Sequence, residues 1–228
     1  MPPIRTQNSW SLRKEIFDYL SNQIESGALI PGSLINVRRL TEKLNVSRTP
    51  LREALAQLEI QGLVSILPQR GVLINVLMYE DLLDLFEIIG ALESQVVEKV
   101  FHKIAGNEIK QMKRYNQTMK KAIEKEKNRT FHETNILFHK VFLDLSANRE
   151  LTTYVSSLKL RLFGFALKSY RARFKKAIVA EHAVFIDLLG KDNPNAAADY
   201  LKDVHWKFNY PENFIRPDAV GNTITAIV

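Results

Sequence analysis

The chain of 228 residues contains no cysteine. Disulfides, thiol nucleophiles and cysteine-ligated zinc are therefore excluded, and any metal must be held by nitrogen and oxygen from His, Asp, Glu or Asn. Long apolar runs are missing too. Stretches such as Val72 to Ile74 and Ile88 to Leu92 fall far short of the roughly 20 residues that cross a bilayer. The opening MPPIRTQNSW lacks the continuous apolar core of about 7 to 15 residues that marks a signal peptide. A cytoplasmic protein without a membrane partner is expected. No internal repeat or low-complexity linker interrupts the chain.

What is present is an ordinary globular composition, 46% hydrophobic and 25% charged, which sets aside disordered and fibrous classes. The length suits two unequal domains. A net charge of +7 and a pI near 9.5 suit a polyanionic partner, because cations that neutralise phosphates release bound counterions. Nine basic against six acidic residues up to residue 76 leave +3 on the shorter part and +4 on the longer one, so charge is denser at the N-terminus.

Residues 10 to 26 place Leu12, Ile16, Tyr19, Leu20 and Ile24 at helical spacing, with Gly27 as the stop. After the Pro31-Gly32 turn, Arg38 to Leu44 predicts a short second helix ended by Asn45. Ser47 then caps a third from Arg48 to about Gln61, stopped by Gly62. Two short helices joined by a tight turn are a helix-turn-helix. The Val- and Ile-rich segment LVSILPQRGVLINV reads as two strands around a Pro68-Gln69-Arg70-Gly71 tip, a wing. At ~100° per residue, Leu51, Ala54, Leu55 and Leu58 share one side of the third helix, while Arg48, Thr49 and Arg52 share an adjoining face. Pro50 sits in the first turn, where a missing N–H is tolerated. Guanidinium forks and a hydroxyl at the start of such a helix address base edges and phosphates. Arg38 is placed for a backbone phosphate, Arg70 for the minor groove, and Ser47 joins the set at the helix entrance. Taken singly, each arginine also reads as a solvated surface charge.

The run RRLTEKLNVSRTPLREALAQLEIQGLV followed by LPQRGVLI resembles the GntR family of bacterial regulators, the family pattern standing here as VSRTPLRE. The resemblance covers roughly residues 10 to 76. It implies a winged-helix homodimer that reads a short palindrome in double-stranded operator DNA, with Arg38, Arg48, Thr49, Arg52 and Gly71 at DNA-contacting positions.

From Tyr79 onward the pattern is helical throughout, over 79–102, 107–127, 130–146, 149–170, 173–190 and 194–209. The expected organisation is a winged helix-turn-helix over 1–76, an all-α bundle over 79–212 and a tail over 213–228, mainly α in class. Three histidines fall on inward stripes: His139, one helical turn after Asn135; His182, in line with Ile178, Phe185 and Leu189; and His205, in line with Leu201 and Phe208. Each alone reads as a packed core residue. Three converging imidazoles with Asn135 form a set suited to a divalent ion, zinc or nickel foremost. His102 and His132 lie outside the pattern and read as surface or packing residues.

This second half, from about Tyr79 to Tyr210, is similar to the FCD sensor domain of the FadR-type branch, through NILFHK, AEHAVFIDLL and KDVHWKF. The resemblance implies a metal centre at Asn135, His139, His182 and His205 that holds a small organic-acid effector, and a regulator, a repressor above all, whose operator affinity follows that effector. Asn135 stands where metal-binding members usually carry Asp, and Ile89 stands near where many carry an effector-binding arginine. Arg161, beside a stripe of Tyr154, Leu158 and Phe165, is the candidate replacement, and it reads equally as an arginine that snorkels to the surface. Two alternatives stay open at this level: a metal-dependent hydrolase with Glu133 or Glu181 as base, and a purely structural ion.

Overall fold

A computed structural model of the protein describes residues 9–25, 27–166, 172–207 and 226–227. The chain divides into two compact units. One comprises Met1–Leu77 with Leu160–Lys168 and Pro217–Val228, and the other Met78–Lys159 with Ser169–Arg216.

In the first unit, α1 (Ser9–Glu25) buries Ile16, Leu20 and Ile24 against α3 (Arg48–Ile60), which contributes Leu51, Ala54, Leu55 and Leu58. Between them, α2 (Val37–Leu44) is capped by Asn36, whose side chain accepts from the Arg39 N–H, and ends at Asn45 in the left-handed conformation. Ser47 occupies the N-cap position of α3, but its hydroxyl makes no capping bond, so the capping role expected of it is corrected to position alone. At the far end Gly62, at φ +71°, closes a C-terminal motif in which Gly62 donates to Glu59 and Leu63 to Leu58.

The wing is the antiparallel pair β2 (Val64–Leu67) and β3 (Gly71–Ile74), with Leu67 opposite Gly71 and Val64 opposite Ile74. A short strand that the sequence pattern did not announce, β1 (Leu34–Ile35), pairs antiparallel with β3. Its outer edge receives β4 (Ala226–Ile227) in parallel, so this part of the expected tail is a strand. The rest of the tail, and Phe208, lie outside the described residues.

The second unit is helical: α4 (Tyr79–Val100), a 3-10 turn (Phe101–Lys103), α5 (Gly106–Glu124), α6 (Asn128–Leu143), the first part of α7 (Arg149–Ala166), α8 (Ala172–Leu189) and α9 (Pro194–Tyr200). Asp81 accepts from the Met78 N–H at the start of α4, and Asn193 caps α9 through the Ala196 N–H. An aromatic core of Phe131, Phe138, Phe142 and Phe185 holds α6 against α8. The last predicted helix is not α throughout. After α9 the chain widens into a π turn, Leu201–His205, closed by the Trp206 N–H on the Leu201 carbonyl. Gly90 of α4 makes room for it, since a Cβ there would stand 2.7 Å from Trp206 Cβ.

Candidate nucleic-acid interface and candidate metal centre

On the winged helix, Arg38, Arg48, Thr49, Arg52 and Arg70 are all exposed, as is Ser47. Arg38, Arg48, Arg52 and Arg70 line one cleft of about 780 Å³, floored by Leu55 and Ala56 of α3 and walled by the wing from Ile66 to Val72. The cleft exists because the wing is clamped to the helix: Glu59 accepts from the Ile66 backbone N–H at 2.6 Å. Arg38 reaches Glu42 one turn on at 3.3 Å, an exposed contact that leaves it available. Gly71 has a backbone reason for being glycine. Its φ is +115°, and a Cβ would lie 2.7 Å from the Ile35 carbonyl oxygen, so β1 could not pair with a larger residue there.

In the bundle, α6, α8 and the π turn bring His139, His182 and His205 together, with ligating nitrogens within 4.8 Å of one another and all three rings buried. Asn135, one turn before His139, is buried too. The arrangement of protons follows from the neighbours. His139 donates its Nδ1–H to Glu93 at 2.8 Å, and His205 donates its Nδ1–H to Glu181 at 2.9 Å, because an ionised carboxylate only accepts. A neutral ring held in this way presents its Nε2 lone pair, and the two Nε2 atoms face each other at 3.4 Å. Asn135 Oδ1 and both nitrogens of His182 are buried and make no hydrogen bond, although His182 stacks on Phe138 with ring centroids 3.8 Å apart. Buried lone pairs with no proton to accept are the chemistry a divalent ion satisfies, and the set of three imidazoles and one carbonyl oxygen fits zinc or nickel.

The electrostatics agree. Burial, against the pull of Glu93, lowers His139 to about 3; burial together with His205, His139 and Lys159 also pushes His182 well below its ordinary value. Both rings are therefore neutral at pH 7, as metal ligands must be. Burial works against the carboxylate of Glu93, yet His139 and Lys159 outweigh it and hold it down at about 2.

Three expectations are corrected here. Arg161 lies against Gly62, its Nε 3.2 Å from where a Cβ would stand, and groups with the winged-helix unit; the cation of α7 that reaches the histidine cluster is Lys159. The cause is helical register. The inward face of α7 is Val155, Leu158, Lys159 and Leu162, whereas Tyr154 is 56% exposed and the Phe165 side chain lies outside the described residues. Two residues along a helix is about 200° of rotation, so Arg161 and Lys159 point apart. Glu133 sits at the surface, bonded to Arg129 at 2.7 Å, and Glu181 is occupied by His205, so neither is a free base for hydrolysis. His132 is buried against Phe131, a packing residue, while His102 is exposed.

Sequence reasoning missed Glu93, Lys159 and Trp206. Glu93 is fully buried and accepts from His139, from Trp206 Nε1 at 2.8 Å and from Lys159. The available signal was a Glu and a Lys at core positions of two helices, Glu93 directly after Ala91-Leu92 and Lys159 between Leu158 and Leu160.

Comparison with known proteins follows the same division. Residues 12–74 match the model of the bacterial regulatory proteins of the gntR family, and residues 84–204, over half of the chain, match the FCD domain. The HTH-type transcriptional regulator YdhC of Bacillus subtilis is 26% identical over 189 residues, covering 82% of this chain and 84% of that one. The gluconate operon transcriptional repressor of the same species is 23% identical, covering 75% of this chain and 72% of its own length. Among solved structures, Escherichia coli McbR/YncC superposes with a TM-score of 0.72 at 19% identity, over 85% of this chain and 93% of that one, a likeness of fold. No helix among the described residues is long and apolar enough to cross a membrane. Winged helix, buried histidine bundle and both matched models agree: the chain belongs to the GntR family, in its FCD-containing branch, and is a transcriptional regulator and not an enzyme.

Proposed function

We propose that this regulator is a cytoplasmic homodimeric repressor whose hold on a palindromic operator is set by a small organic acid bound beside a metal ion in the bundle. Each recognition helix α3 enters the major groove of one half-site, where Arg48, Thr49 and Arg52 address base edges. Ser47, Arg38 and Arg70 contact the backbone and the adjoining minor groove, and Gly71 lets the wing approach. The arginine-lined cleft between α3 and the wing supports this assignment. Repression is supported by relatives whose names state it, among them the gluconate operon repressor.

The single observation that carries the sensor reading is the pair of Nε2 atoms of His139 and His205, 3.4 Å apart, each ring held by a carboxylate on its other nitrogen. His139, His182, His205 and Asn135 would hold the ion. A divalent metal bound there supplies a Lewis-acid centre with coordination positions open to an anion's oxygen. Since the ligand set contains no carboxylate, the charge of the ion is not neutralised by its protein ligands, which favours an anionic effector. That effector acts only as far as it binds one setting of the winged helices better than another.

The test is metal content and thermal stability. Protein prepared without chelator should carry one zinc or nickel per chain by elemental analysis, and stripping it should lower the melting temperature, which either ion restores. Citrate, malate or acetate should then raise the melting temperature of the loaded form as RT ln(1 + [L]/Kd) requires, and shift binding to an operator selected from a random duplex pool. Protein free of metal and indifferent to both ions would remove the metal centre; metal binding without any response to carboxylates would leave a structural ion alone.

A further inference from the structure

The metal reading leaves one group of the cluster without a task. Lys159 is only 4% exposed, is ion-paired with Glu93 and lies with its ammonium 5.2 Å from the centre of the Trp206 ring. An ammonium has three N–H donors. Among the described residues Glu93 is the single anion it meets, and the Nζ makes no further hydrogen bond. A buried cation with donors to spare is costly unless something else accepts from it.

Glu93, by contrast, is already engaged. Its Oε2 takes both the His139 Nδ1–H and the Trp206 Nε1–H, so the orientation of the histidine does not depend on the lysine. The charges point the same way. Glu93 and Lys159 cancel, imidazoles that bind a metal do so as neutral ligands, and Asn135 brings no charge. A divalent ion would therefore add positive charge that only Glu181, 20% exposed on its side chain, offsets. The cluster is built one anion short, and its spare donors sit on Lys159.

We infer that Lys159 is the second anchor of the effector: its ammonium, while keeping Glu93, donates to an oxygen of a small carboxylate bound next to the three histidines. This rests on the effector reading above, and gives it a residue that sets ligand charge. The pairing also makes neutral ligands poor ones, since they would leave the ammonium unsatisfied.

The experiment is titration calorimetry of zinc-saturated protein with citrate, malate and acetate, and with inorganic phosphate as a non-carboxylate anion, on the native chain and on Lys159→Met, Lys159→Gln and Lys159→Arg. Lys159→Gln retains a donor for Glu93 and serves if Lys159→Met does not fold. The expected result is one zinc per chain in every variant by elemental analysis, carboxylate binding at least tenfold weaker in Lys159→Met or Lys159→Gln, and partial recovery in Lys159→Arg. Native-like carboxylate affinity in the two neutral variants would overturn the assignment of Lys159 while leaving the effector reading intact. If the native zinc-loaded chain binds none of the carboxylates, the effector reading itself fails and the lysine anchor falls with it.

Discussion

The two units of this protein hold their working residues in opposite ways. On the winged helix the arginines stand in solvent around an open cleft, and Arg38 makes no more than an exposed contact with Glu42. In the bundle the three histidines, Asn135, Glu93 and Lys159 are buried, and His139 and His205 are each oriented by a carboxylate. The difference teaches where mutational damage should land. Removing an exposed arginine should weaken DNA binding and leave the fold untouched, whereas removing Glu93 from the buried cluster should strand its partners.

The sharpest way to break the comparison is Glu93→Ala. It leaves Lys159, the His139 Nδ1–H and the Trp206 Nε1–H without their shared acceptor, and should destabilise the chain by about 3–5 kcal/mol in urea unfolding, the range for breaking a buried ion pair. A loss below about 1 kcal/mol would mean that the cluster is not interdependent. Next, Arg52→Ala or Arg48→Ala should weaken operator binding by about 1–3 kcal/mol with reduced discrimination against mismatched sites in gel shifts, at unchanged melting temperature. Arg38→Ala should instead weaken matched and mismatched duplexes alike and lower the salt slope by about 1. Gly62→Ala should destabilise the winged helix by roughly 1–2 kcal/mol, because φ is +71° there and Arg161 crowds the added methyl. The smallest expected difference is between two caps. Asn36→Ala should cost about 1 kcal/mol, since Asn36 accepts from Arg39, while Ser47→Ala should be close to neutral in thermal unfolding, since its hydroxyl makes no such bond.

How legible each half was in the sequence follows from the same contrast. The recognition helix could be read because its signals are local: Pro50 in the first turn, Gly62 at the end, leucines on one side and arginines on the other. β1 could not, because two residues, Leu34 and Ile35, form a strand only once Val72 and Leu73 are there to pair with them. The histidines were legible because a buried imidazole on an apolar stripe keeps helical spacing. Lys159 and Glu93 were not, because a charged residue on an inward face signals nothing until its partner is known, and they lie on different helices, 66 positions apart in the chain. Arg161 shows the converse error. Leu158 borders two plausible stripes on α7, one through Tyr154 and one through Val155, and only packing chooses between them.

The π turn at Leu201–His205 has a consequence for chain length itself. A π turn carries one residue more than an α turn and so rotates every later side chain by about 100°, and beyond it His205 and Trp206 both turn inward, one held by Glu181 and the other by Glu93. The extra residue in that widened turn sets the direction of both. Helix nine and its extension thus work like a ratchet with one surplus tooth: shorten the segment by a single residue, whatever its identity, and one of the two side chains must swing away from the interior, so the count of residues here is as much a part of the site as their chemistry.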